Sequence, residues 1–180
     1  MKKIFLFTLV FITISSISQK MISRSGEIKF EASMPALEEV AATSKTASCV
    51  FDTSNGEFAT LVLIKSFKFK VALMEEHFNE NYMESEKYPK ATFKGKVVNF
   101  DSKKLTATKT SYDIEGDLTI HGVTKKIKNK ISLALVNGKM LASSSFAIAL
   151  KEYKIDVPSL VKDKIAKDAK VVFNFALEGK

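Results

Sequence analysis

Few side chains in this sequence are of a type and spacing that could do chemistry. His77 and His121, the single cysteine Cys49, and the adjacent Glu75 and Glu76 include the atoms that hold zinc. Zinc sites show close ligand spacing such as HExxH or paired CxxC, and neither pattern occurs here. His77 therefore reads as a helix-surface residue and His121 as a turn residue. Asp113, Glu115 and Asp117 are spaced by two, so on a strand they project from one face. A glycosidase needs two carboxylates converging across a cleft, and three on one face fit a solvated surface instead. A Cys49–His nucleophilic pair requires a spatial adjacency that the spacing does not supply. There is no GxSxG elbow, Walker loop or GxGxxG. The expectation is no enzyme, no cofactor and no metal, with His77 or His121 as a general base the one enzymatic alternative.

These residues sit among elements with a two-residue rhythm. In 27–34, Ile28, Phe30, Ala32 and Met34 share a face, and in 45–52 Ala47, Cys49 and Phe51 do so. Cys49 is thus expected to be a buried, inert thiol. Asn55-Gly56 signals a hairpin. Residues 57–65 are nearly all apolar, which predicts a strand covered on both faces or touching a helix. In 71–82 the rhythm changes. Val71, Met74 and Phe78 fit helical spacing, and a short helix is predicted, ending before Pro89. Strand spacing resumes over 91–100. Over 105–120, Tyr112, Ile114, Gly116, Leu118 and Ile120 face one way and the acidic residues the other. His121-Gly122 makes a tight turn. In 125–136, Ile127, Ile131, Leu133 and Leu135 oppose Lys126, Lys128 and Lys130, so acidic and basic outer faces should lie side by side. Asn137-Gly138 is a further hairpin signal. Strands follow at 140–151, carrying Phe146, Ile148 and Leu150, and at 169–178, carrying Val171, Phe173, Phe175 and Leu177. A short helix or ordered loop is expected between them. The fold class predicted is all-β: an eight-stranded antiparallel barrel with one or two short helices.

The bulk properties bound the function. Lys2 and Lys3, an apolar run and small residues at Ser16 and Ser18 have the layout of a secretory leader over residues 1–18, leaving one domain at 19–180 of a chain of 180 residues. An exported protein with one cysteine has no internal disulfide. Removing Lys2 and Lys3 takes the net charge from +8 to +6. Arg24 is the only arginine, and arginine is the residue of bidentate phosphate and guanine recognition. Nucleic acid is therefore not expected as a partner, and the lysines read as solubility and strand-edge protection.

Phenylalanine is abundant, with 14 Phe and no Trp. Phe58, Phe67, Phe69, Phe78 and Phe93 fall in or near the irregular middle segment. An apolar lumen with a lysine-bearing rim would suit an amphiphile, each buried CH₂ contributing roughly 0.8 kcal/mol. The segments EHFNENYMESEKYPKATFKG, GDLTIHGVTKKI and SSFAIALKEYKID resemble the YceI-like family over 76–180. The resemblance implies a lipocalin-like barrel in the periplasm. It also implies an elongated apolar cavity for polyisoprenoid amphiphiles such as isoprenoid quinones or polyprenyl phosphates. The leading expectation is an exported carrier or binding protein for an isoprenoid or other long-chain amphiphile. Phe58, Phe67, Phe69, Leu73, Phe78, Phe93, Ile114 and Leu118 are the candidate ligand-binding residues, and Lys94 or Lys96 the candidates for an anionic head. Transient contact with a membrane surface is left open, as are monomer and homodimer. The alternative is a filled-core envelope module acting through its outer surface on a protein or polymer.

Overall fold

The alternating stretches become strands, and the strands close on themselves. The computed structural model describes residues 20–34 and 39–179; the expected leader at 1–18 lies outside the described residues. The strands are β1 (Lys20–Ser33), β2 (Ala41–Asp52), β3 (Glu57–Leu63), the two-residue β4 (Lys68–Phe69), β5 (Lys90–Val97), β6 (Thr110–Ile120), β7 (Val123–Val136), β8 (Lys139–Ala149) and β9 (Ile165–Gly179), with one α-helix, α1 (Ala72–His77). Eight of them form a ring in the order β1-β9-β8-β7-β6-β5-β3-β2, closed by the antiparallel pairing of β1 with β2. β4 lies outside the ring count, returning to β2 through Ala42↔Phe69 and Thr43↔Lys68. Closure removes exposed sheet edges.

Turn chemistry fixes the hairpins. His121-Gly122 and Asn137-Gly138 have both residues at positive φ, 51° and 72° for the first and 50° and 77° for the second, as a two-residue turn that matches strand twist requires. The Asn55-Gly56 hairpin is longer. β2 stops at Asp52 and β3 starts at Glu57, and the Asp52 carboxylate accepts from the Ser54 backbone N–H at 2.9 Å.

β3 differs from its expected two-sided cover. Phe58, Val62 and Ile64 are buried, but Leu63 is 53% exposed. The chain after β3 returns to β2 at β4 and leaves Leu63, the last residue of β3, uncovered. Leu135, expected inside, is also exposed, while its neighbour Ala134 is buried.

The acid and lysine faces meet as the spacing predicts. Asp113, Glu115 and Asp117 stand opposite Lys130, Lys128 and Lys126 on β7, and Glu115 and Asp117 also face Lys96 and Lys94 on β5. Lys130 pairs with Asp113 at 2.8 Å and Lys128 with Glu115 at 3.1 Å. Such exposed pairs contribute up to about 1 kcal/mol each.

Gly95 of β5 and Gly116 of β6 are register partners. A Cβ on Gly116 would stand 2.3 Å from both the Gly95 Cα and the Lys94 carbonyl oxygen. One on Gly95 would stand 2.5 Å from the Phe93 ring. The Phe93 ring therefore lies across Gly95. Gly116→Ala is expected to force the two strands apart and cost about 3 kcal/mol. Urea unfolding would read this as a lowered midpoint.

The interior is divided along the barrel axis. At the end holding the β2–β3 and β7–β8 turns the lumen is solid. Phe51, Val97, Ile131, Leu133, Met140 and Leu177 are buried there, and Phe51 meets Phe100 edge-on at 4.9 Å and Phe58 at 5.9 Å. Cys49 belongs to this plug, and burial pushes its thiol well above the ordinary range. An ordinary thiol near pH 8.5 is partly ionised. Cys49 is expected to be silent toward a disulfide reagent at that pH and to react fully once urea unfolds the chain.

The candidate lipid cavity

Above the plug the lumen is hollow. A cavity of about 500 Å³ occupies the half of the barrel opposite the β2–β3 turn, within the roughly 300–1,000 Å³ usual for small-molecule sites. Its floor is phenylalanine. Phe58 stacks on Phe173 at 6.0 Å and lies 6.4 Å from Phe93. The walls are the inward-facing residues of the strands: Ile28 and Phe30 of β1, Val62 of β3, Ile114, Leu118 and Ile120 of β6, Ile127 of β7, Phe146 and Ile148 of β8, and Ala169 and Val171 of β9. From Ile114 to Ile120 is six residues, about 20 Å at 3.3 Å each, or about 15 Å along the axis once barrel tilt is allowed for.

Two segments border the mouth. The first runs through residues 64–89 and contains β4, α1 and a π-helical turn at Phe78–Tyr82. It builds an aromatic cluster on Phe30, which stacks on Phe78 at 5.1 Å and meets Phe67 at 5.4 Å and Phe69 at 5.7 Å edge-on. The second runs through residues 150–164, of which Ile155, Val157, Val161 and Lys164 line the cavity. His121 clasps both segments. Its Nδ1 donates to the Tyr153 carbonyl at 3.2 Å, its Nε2 lies 2.8 Å from a Glu84 carboxylate oxygen, and its ring meets Tyr88 edge-on at 4.6 Å. The turn residue is thus the tie between three parts of the chain.

The lining is nearly all apolar apart from His77 and Lys164, and two of its uncharged polar members are already engaged. Ser144 donates to the Lys130 carbonyl at 2.6 Å, and the Asn129 side-chain oxygen accepts from the Lys130 N–H at 2.8 Å. Thr60 and Thr92 complete the wall. The basic side chains of the lining are His77 and Lys164, one from each bordering segment. Burial raises the Tyr82 phenol above its usual range. Among the described residues no group of three His, Cys, Asp or Glu is gathered as metal ligands would be.

Seven of the eight candidate residues face this cavity: Phe58, Phe67, Phe69, Phe78, Phe93, Ile114 and Leu118. Leu73 does not, and is 56% exposed. Met74 and His77 of α1 and Phe78 just after it line the cavity, spaced i, i+3, i+4 as one helical face must be, and Leu73 lies about 100° round from Met74. Lys94 and Lys96 stand on the outer wall among the β6 carboxylates, away from the cavity. Met74, Phe146, Val171 and Phe173 also line the cavity, and strand alternation and helical spacing mark each of them as inward.

Solved structures with this fold include a polyisoprenoid binding domain from Saccharophagus degradans implicated in plant cell wall breakdown. It is 15% identical, with a TM-score of 0.77, covering 90% of this chain and 99% of that one. Burkholderia cenocepacia BcnA matches at 15% identity and a TM-score of 0.68, over 84% and 95% of the two chains. A Campylobacter jejuni YCEI protein matches at 18% identity and a TM-score of 0.55, over 98% of each. At these identities the likeness concerns the fold. No curated protein matches the chain. The sequence profile of the YceI-like domain, in contrast, matches residues 9–177. A ring of eight antiparallel strands with this profile along nearly its whole length belongs to the YceI-like domain family.

Proposed function

We propose that this protein is an exported carrier or binding protein for a long-chain isoprenoid amphiphile, held non-covalently in the upper half of the barrel. The observation that carries this reading is a half-filled lumen. The plug supplies stability, and the hollow above it offers phenylalanine and aliphatic surface, with its basic groups, His77 and Lys164, on the two segments at the mouth. Each CH₂ placed there contributes roughly 0.8 kcal/mol, so a tail can bind firmly without polar contacts. The similarity to a polyisoprenoid binding domain supports an isoprenoid tail. The cavity is about 15 Å deep, half the roughly 30 Å hydrocarbon thickness of a bilayer. It therefore suits a tail that spans one leaflet, and a longer one would fold back or emerge at the mouth. His77 and Lys164 are placed to meet a polar or anionic head of the quinone or polyprenyl phosphate kind. Binding, with no chemical step, is the proposed activity. Export to the periplasm or beyond is part of the proposal and is supported by the secretory layout of Lys2, Lys3 and the apolar run that follows them.

Organic extraction of protein purified without detergent, followed by mass spectrometry, tests the reading. A stoichiometric lipid, or binding of quinones or polyprenyl phosphates to the stripped protein, is the expected result. Neither lipid nor binding would leave only a module acting through its outer wall.

A further inference from the structure

The two segments that border the cavity share an unusual arrangement. In each, a side chain that lines the cavity is followed or preceded by an aliphatic side chain left in water. On the 3-10 turn Ser159–Val161, Val161 lines the cavity while Leu160 is 93% exposed. On α1, Met74 lines the cavity while Leu73 is 56% exposed, and Val71 just before the helix is 40% exposed. Isolated exposed aliphatics are ordinary on a protein surface. Here they stand on both segments around one opening.

Charge accompanies them. Lys68 and Lys70 precede Val71 and are paired with Glu75 and Glu39. In the second segment, Lys151, Lys154, Lys162 and Lys164 have no carboxylate partner among the described salt bridges, and Glu152 is taken by Lys125 at 3.3 Å. Four free lysines thus face two remaining acids there, Asp156 and Asp163.

We propose that the mouth of the barrel docks on an anionic lipid surface, with Leu160 and Leu73 entering the interface and Lys151, Lys154 and Lys162 of the second segment meeting the headgroups. The pattern suits a lipid surface better than a protein. Among the described residues the apolar tips are separate points on two segments, whereas the core of a protein interface is a contiguous apolar patch. Lysine next to exposed leucine is the composition of segments that lie in the headgroup region. A lipid plane that received both tips would cover the opening, so a tail could pass between bilayer and cavity without crossing water. The proposal rests on the lipid-binding reading for its purpose, but the docking is measurable by itself.

Sedimentation with vesicles of equal phosphatidylglycerol and phosphatidylcholine is the test, with farnesyl phosphate as a separate soluble probe of the cavity. The natural protein is expected to sediment with these vesicles and much less with phosphatidylcholine alone. The double variant Leu73→Gln/Leu160→Gln is expected to bind vesicles at least tenfold more weakly, with its melting temperature unchanged. Its affinity for farnesyl phosphate should stay within twofold of the natural protein's. Vesicle binding that is absent from the natural protein, or equal in the variant, overturns the docking. So does a lipid-free dimer, seen by sedimentation velocity, that the variant dissolves. Docking without farnesyl phosphate binding would instead count against the cavity reading alone.

Discussion

Phe51→Ala is expected to lower the folding stability by about 3–5 kcal/mol, the range for deleting a fully packed phenylalanine. Phe51 has no exposed surface and is enclosed by Phe58 and Phe100, so neighbours cannot collapse into the space without moving β2, β3 and the connection after β5. For a chain of this size the melting temperature should fall by roughly 10 °C or more. Phe146→Ala on the cavity wall is the control. Its ring borders empty space and is only partly buried, so fewer dispersion contacts are lost, and a cost nearer about 1 kcal/mol is expected. Equal losses at the two positions, measured by urea unfolding, would show that the lumen is uniformly packed and that the division into plug and hollow is wrong.

Ala169→Trp is expected to weaken lipid binding at least hundredfold while leaving the fold in place. Ala169 is buried on β9 and faces the cavity opposite the floor. An indole there takes the room of several methylene groups. Losing the burial of four, at roughly 0.8 kcal/mol each, removes about 3 kcal/mol, which exceeds two factors of ten. Ala91→Phe fills the same cavity from β5. Two plugs from different walls guard against a local folding defect in either one. Circular dichroism and thermal melting establish that each variant folds, and titration with a polyprenyl phosphate reads the binding. If both folded variants bind as tightly as the natural protein, the ligand lies elsewhere.

Much of this molecule can be read from local pattern. The inward face of β6, from Tyr112 to Ile120, follows from alternation alone, because successive side chains on a strand must point oppositely. The His121-Gly122 and Asn137-Gly138 hairpins follow from residues that accept positive φ. The acid and lysine ladders follow from the register that those turns impose. Local pattern fails where a neighbour distant in sequence decides. Leu63 is bare because the chain beyond it returns to β2, and Leu73 is outside because the helix turns Met74 toward the lumen. The role of His121 was legible only as a turn. Its partners, Glu84 and the Tyr153 carbonyl, lie 37 and 32 residues away, and no spacing rule connects them.

The amino-acid sequence determined that strands form, where they turn and which side chains point inward, since those are one-strand properties set by a period of two. Whether the inward space is filled was decided only in three dimensions. Phe173 and Phe175 alternate identically on β9, yet the first borders the hollow and the second belongs to the plug. Void volume depends on how side chains from eight strands meet across the lumen, and that sum is taken only when the ring closes.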